Sequence, residues 1–319
     1  MTEPVQITVV GTGCIGASIG LALHQAAQPL LVVGHDKQPN NAGAARKLKA
    51  VDRTDWNLPN ACENADVIVL ALPLNAIEGT LKAIAPCLKE GCVIADTAIL
   101  KQPVLTWAEQ LLPDTVSFVG GDPLVTVAAA GPAAARADLF QGSLFCVTPS
   151  PRAHPDAVSL VSSLVSLLGA RPFFLDAAEH DGLMAGAVQL PQAMALALWR
   201  SAVADPGWRD MRKMAGGEYD ALGALMGEDA DALAGALLSN RGHVLPWLDA
   251  YVDQLSALRK MLAKGTPESL SQFGEQAMDA RRQWLLDRRR QFSEEMPMPP
   301  IEKPNLLHHV LPRRLLQRR

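Results

Sequence analysis

The 319-residue chain reads as an α/β domain with a wound parallel sheet, followed by an all-α domain. Three observations predict this. A glycine turn, Gly11-Thr12-Gly13-Cys14-Ile15-Gly16, joins an apolar run of strand length to a helical stretch. Strand-like runs and helical stretches then alternate through the first half. From Ala177 the strand-like runs stop, and Ala, Leu, Met and Gln dominate.

The first run, Gln6 to Val10, is a strand, and Ala17 to Leu23 continues the glycine turn as helix. Leu30 to Asp36 is the second strand, followed by a helical stretch from Asn41 to Val51 that carries Arg46, Lys47 and Lys49. Ala65 to Pro73 is nearly all apolar, as expected where both faces of a sheet are covered. Ile77 to Leu88 is helix, Gly91 to Asp96 strand, Val104 to Leu112 helix and Val116 to Gly120 strand. Leu144 to Thr148 and Pro172 to Leu175 add two strands, with a helix from Pro155 to Leu168 between them. The α/β domain is expected over residues 1–176. A helical domain follows over 177–293, with helices at 177–204, 219–238, 243–262 and 267–292. Pro191 should kink the first of these or mark a site. Residues 294–319 form a Pro- and Arg-rich tail, best read as solvated.

The glycine turn has a chemical reading. Gly11 permits the tight turn, Gly13 lets the backbone approach a pyrophosphate, and Gly16 lets the helix pack closely on the strand. Phosphates would sit at the helix N-terminus, where free N–H groups and the positive end of the dipole favour anions. Asp36 falls twenty residues after Gly16, where a ribose-binding acid belongs. The domain is therefore expected to be a Rossmann-type dinucleotide-binding domain, with Cys14 and Ile15 inside the cradle. A glycine-rich turn without a nucleotide is the competing reading. NAD is preferred to NADP because Asp36 would accept from the 2′-hydroxyl and repel a 2′-phosphate. Lys37 and Arg46 keep NADP open.

Composition bounds the rest. The chain is 49% hydrophobic and 19% charged, with a net charge of −4, so no nucleic-acid partner is expected. No apolar run is expected to reach membrane-span length. Five cysteines lie scattered, without metal spacing, and no metal is expected. With no room for a signal peptide before the first strand, a reduced cytoplasmic location is expected. In open α/β sheets ligands gather outside the carboxyl ends of the strands. That places Leu72 and Pro73, Thr97, and the Gly120–Pro123 segment near a cofactor, with the substrate between the domains.

At this point the chain resembles the prephenate/arogenate dehydrogenases, which oxidatively decarboxylate prephenate or arogenate on the way to tyrosine. Leu70 to Pro73 looks like the family's loop near the nicotinamide. Asp96 to Lys101 (DTAILK) is similar to D-V-G-S-V-K, and Gly120 to Gly131 (GGDPLVTVAAAG) to G-S-H-P-M-A-G-S-E-x-S-G. His180-Asp181, Ala185 and Gln189 to Gln192 resemble H-D…A…S-H-L-P-Q. Gly207 to Ala215 resembles G-F-R-D-x-T-R-I-A, and Asn240-Arg241 fits a later pair. The resemblance implies a 6-phosphogluconate-dehydrogenase-like helical domain, a small carboxylate substrate and a homodimer built by that helical domain.

Four polar positions depart from the pattern. The family serine aligns with Ile99, the histidine that takes the hydroxyl proton with Asp122, the histidine of the H-L-P motif with Gln189, and the carboxylate-gripping arginine with Lys213. Asp122 starts far below histidine in pKa, though burial beside Ile99 and Leu124 would raise it. It could act as a base, hold a substrate amine, or be a turn residue before Pro123. Gln189 can hydrogen-bond but not exchange a proton, and Lys213 keeps the charge without the bidentate fork. His180 is expected to be structural or to support the site from behind. Three functions remain: a prephenate- or arogenate-type dehydrogenase, a dehydrogenase for another small hydroxy, oxo or amino acid, and a nucleotide-binding protein without turnover.

Overall fold

The structure is a computed structural model that describes residues 4–26, 28–127 and 129–291. The expected tail, 294–319, lies outside the described residues. Contacts divide the chain into two units. Of the described residues, the first holds 4–184 and 227–240, and the second 185–226 and 241–291.

The first unit is built on eight strands: β1 Val5–Val10, β2 Leu30–His35, β3 Arg53–Thr54, β4 Val67–Leu70, β5 Val93–Asp96, β6 Ser117–Pro123, β7 Leu144–Pro149 and β8 Arg171–Phe174. Their order in the sheet is β3-β2-β1-β4-β5-β6-β7-β8. Alternation sorts the side chains. Val67, Val69, Val93 and Ala95 face one apolar layer with the helices Cys14–Gln25 and Pro155–Leu167. Ile68, Leu70 and Ile94 face the other, with Leu74–Ile84 and Gln102–Leu111. Both faces are covered, which is why these strands read as unbroken apolar runs.

Three features of the sheet region differ from expectation. The β6–β7 pair is antiparallel, so the sheet is parallel-rich rather than wholly parallel. A parallel return needs a crossover, usually a helix, and among the described residues of this connection only the 3-10 turn Pro132–Ala134 appears. β6 also runs on through Asp122 to Pro123, with Asp122 opposite Cys146, so Asp122 is a strand residue and not a turn residue. Finally, the two-residue β3 and the helix Leu58–Cys62 lack an apolar repeat long enough to announce them.

The helical run 177–204 begins in the first unit as Ala177–Met184, passes through a π-turn at Ala185–Gln189 and continues as Leu190–Ala204. The wider turn lies where Pro191, lacking an N–H, would disturb a regular ladder, so the proline is absorbed by a change of helix type. By length and composition alone this 28-residue run is sufficient to cross a membrane, contrary to the expectation that none would be. The expected helix 219–238 is two helices, Gly217–Ala224 and Ala230–Ser239. Gly227 at φ +68° breaks it, and Asp229 restarts it by accepting from the amides of Asp231 (3.0 Å) and Ala232 (2.9 Å). The second helix packs on Leu74–Ile84 through Ala236 in the first unit.

Within the second unit, Trp199 meets Trp208 and Tyr219 edge-on, with ring centroids 5.8 and 5.6 Å apart. The long helices Arg241–Lys264 and Pro267–Gln291 complete it.

Candidate active site

The carboxyl ends of β1, β2 and β4 meet at the glycine turn. Gly11 takes φ +91°, and a Cβ there would lie 2.3 Å from the Ala71 carbonyl oxygen. A Cβ on Gly16 would lie 1.9 Å from the Gly11 carbonyl oxygen. These two glycines are required by the protein's own packing. Gly13 is different: a Cβ there would meet nothing within 4 Å. The space its missing side chain leaves is open, at the N-cap of the helix Cys14–Gln25. That fits a dinucleotide, whose pyrophosphate would lie against the Gly13 backbone.

Asp36, just beyond β2, is tied to the same turn. One oxygen accepts from the Thr12 amide (2.8 Å) and hydroxyl (3.2 Å), and the other from the Gln38 amide (2.8 Å). Leu72 lies against Gly11, and Pro73 caps the helix Leu74–Ile84. The Thr97 amide donates to the Leu70 carbonyl (3.1 Å), extending the β4–β5 pairing. Ile15 is half-buried. The Cys14 thiol is buried, donates to the Ala134 carbonyl (3.4 Å), and has its pKa raised by that burial. It is a packing group rather than a reactive thiolate.

At the carboxyl ends of β5 and β6 lies a buried charge cluster. Asp96, at the end of β5, accepts from the Ala98 amide (2.9 Å), the Gly121 amide (3.0 Å) and Lys101 Nζ (2.5 Å). Lys101 is fully buried and also donates to the Gly121 carbonyl (2.5 Å). Asp181 accepts from the amides of Lys101 (2.7 Å) and Gln102 (2.9 Å), at the start of the helix Gln102–Leu111. His180 bridges the cluster, with Nδ1 2.9 Å from Asp181 Oδ1 and Nε2 3.2 Å from Asp122 Oδ2. Asn240 donates to the Asp181 carbonyl (2.8 Å).

Burial by itself pushes the His180 pKa down. Hydrogen bonds to Asp122, Asp181 and Cys146 outweigh it and push it up to about 11. With a carboxylate on either side, the imidazole is charged at neutral pH. Burial raises the Asp122 carboxyl above its ordinary range, against the opposing pull of His180 and Lys101. The sequence expected Ile99 and Leu124 to supply that burial, but Leu124 is 41% exposed and the near neighbours are charged. Asp122 is therefore buried among ions: three carboxylates, Asp96, Asp122 and Asp181, face two cations, Lys101 and His180. Its Oδ1 accepts no hydrogen bond from a described residue, and 9% of its side chain stays open.

The other two candidates belong to the second unit. Gln189 is buried at the end of the π-turn. Lys213 is exposed on the helix Trp208–Met214 and pairs with Asp210 at 2.6 Å. Sequence reasoning missed that Lys101 neutralises Asp96 and that His180 reaches Asp122. The usable signal was the pair of motifs, DTAILK and His180-Asp181, that the cluster joins.

Comparison with known proteins settles the family. Residues 19–173 match the prephenate dehydrogenase nucleotide-binding domain, and residues 176–275 the prephenate dehydrogenase dimerization domain. A probable prephenate dehydrogenase, NovF, of Streptomyces niveus is 31% identical over 258 residues, covering 80% of this chain and 68% of that protein. The chain belongs to the prephenate dehydrogenase family. A cyclohexadienyl dehydrogenase of Zymomonas mobilis is 25% identical and spans 88% of this chain and 96% of its own length. The solved prephenate dehydrogenase of A. aeolicus, in complex with hydroxyphenyl propionate and NAD+, shares the fold at a TM-score of 0.80 and 20% identity, over 88% of this chain and 99% of that one. Because the family match begins at residue 19, the glycine turn rests on its own geometry.

Proposed function

We propose that this family member is an NAD-dependent dehydrogenase that oxidatively decarboxylates prephenate or arogenate. The observation that carries the reading is Asp122: a buried carboxylate with one open oxygen, at the carboxyl end of β6, on the same edge of the sheet as the glycine turn after β1. When bound, NAD+ accepts the hydride. Gly13 gives the pyrophosphate room, and Asp36 accepts from the ribose hydroxyls. Asp122 Oδ1 takes the proton of the reacting hydroxyl, while charged His180 holds Oδ2. Gln189 hydrogen-bonds substrate, and Lys213 supplies positive charge to a substrate carboxylate. Its exposed pair with Asp210 is weak enough to exchange for that carboxylate.

Recombinant protein with NAD+ and either substrate should form NADH. Asp122→Asn should lower kcat by about 100-fold or more, the size of a lost general base, with KM little changed. If neither substrate yields NADH at high enzyme concentration, the reading is wrong; tight NADH binding without turnover would then favour a binding protein. The cluster's excess of one carboxylate favours a second role, an anchor for the arogenate amine. In that case Asp122→Asn raises KM for arogenate and leaves prephenate kinetics unchanged.

NAD should bind more tightly than NADP, which paired dissociation constants check. The dimerization-domain match and the exposed apolar side chains Leu222, Leu225 and Trp247 support a homodimer through the helical domain. Free cysteines support a cytoplasmic location, which cell fractionation tests.

A further inference from the structure

In the first unit one large apolar side chain stands out. Trp56 is 87% exposed, more than any other large hydrophobic residue described in that unit. Its loop is not loose. On one side the Asp55 amide donates to the Gly34 carbonyl (3.0 Å) and His35 Nδ1 lies 2.9 Å from the Asp55 carbonyl. On the other, Asn57 donates its amide to the Asp55 carboxylate (2.9 Å) and caps the next helix by accepting from the Asn60 amide (3.1 Å). A pinned backbone thus presents a bare indole.

Its position gives the indole a use. β3 is the edge strand and runs parallel to β2, with Gly34 paired to Thr54. Two residues further along each chain stand Asp36 and Trp56. Parallel neighbours lie about 4.8 Å apart, so both residues follow closely on one paired rung, where neighbouring strands leave the carboxyl edge. Along that edge, β1 ends in the Gly13 cradle, β2 in Asp36 and β3 in Trp56. A dinucleotide's adenosine half has the same order: phosphate, ribose, base. We propose that Trp56 is the adenine platform, its ring stacking on the base whose ribose Asp36 holds. This rests on the dinucleotide reading of the glycine turn. Every base presents a π-face, so an aromatic ring binds it without needing donors placed for each edge.

The test uses the full chain and calorimetry with NADH and ADP-ribose. Trp56→Ala should weaken both by about tenfold, within the range of one base–aromatic stack. Trp56→Phe should recover most of that loss, and both variants should melt with the wild type because the side chain touches little. ADP-ribose should also quench a component of the wild-type tryptophan fluorescence that Trp56→Ala lacks. Wild-type affinity in Trp56→Ala, or Trp56→Phe as weak as Trp56→Ala, overturns the assignment while leaving the cofactor reading intact. Wild-type protein that binds neither ligand sinks both.

Discussion

Position 122, where the sequence resemblance leads one to expect a histidine, is an aspartate, and an imidazole stands one hydrogen bond away, on His180. That pairing decides which group titrates. His180 is flanked by carboxylates and keeps its proton far above neutrality, so the group that can change state near the open side is Asp122. Linkage makes this measurable. The folded pKa of His180, about 11, lies above its ordinary 6.5, so between those values the native state binds the extra proton. Its stabilising contribution is full below pH 6.5 and is lost as pH rises through 11. Urea unfolding of the wild type and His180→Gln should therefore differ most at pH 6 and converge toward pH 11. A gap that widens with pH would contradict the charged assignment. Lys101 carries a related prediction. Removing one partner of a buried pair leaves the other charge stranded, which costs about 3–5 kcal/mol. Lys101→Met should destabilise by that amount in denaturant titration, because Asp96 is equally buried.

Elements explain why residues far apart in sequence do related work. Two glycines at the start of the helix Cys14–Gln25 do different work. At Gly16 an added Cβ collides with backbone, which cannot rotate away, so Gly16→Ala should lower the melting temperature sharply. At Gly13 the φ of −67° suits any L residue and the space is empty. Gly13→Ala should fold and melt like the wild type yet lose tenfold or more in dinucleotide affinity, since the methyl takes the ligand's place. Thermal melts and calorimetry on the two variants separate these outcomes. On the other side of the sheet, Asp122 became a strand residue because β7 returns antiparallel and pairs through Cys146 and Phe145. A turn propensity read from Asp-Pro loses to that ladder, since the tertiary partner supplies hydrogen bonds the local sequence cannot see.

For the whole molecule, the family match assigns a nucleotide-binding domain and a dimerization domain to one chain. Light scattering at micromolar protein should give the mass of two chains; a monomer would remove the apolar interface from the account. NAD should raise stability by mass action, about 2.7 kcal/mol at one hundred times its dissociation constant. Most of this architecture was legible beforehand. The glycine turn, Asp36 and the apolar runs announce themselves because backbone geometry and double-sided burial restrict residue type at each position. β3 was not legible, since Arg53 and Thr54 owe their strand to β2 beside them.

Sequence by itself determined the wound sheet, the cradle and the change to helices at Ala177, all consequences of local periodicity and of glycine's freedom. Only the tertiary structure decided that Asp122 faces a charged His180, that Lys101 is buried on Asp96, and that the strand leading to Trp56 pairs with the one leading to Asp36. Those facts depend on which strand ends become neighbours. Charge and burial are set by neighbours brought from as much as 80 residues away within that cluster, and no local pattern encodes them.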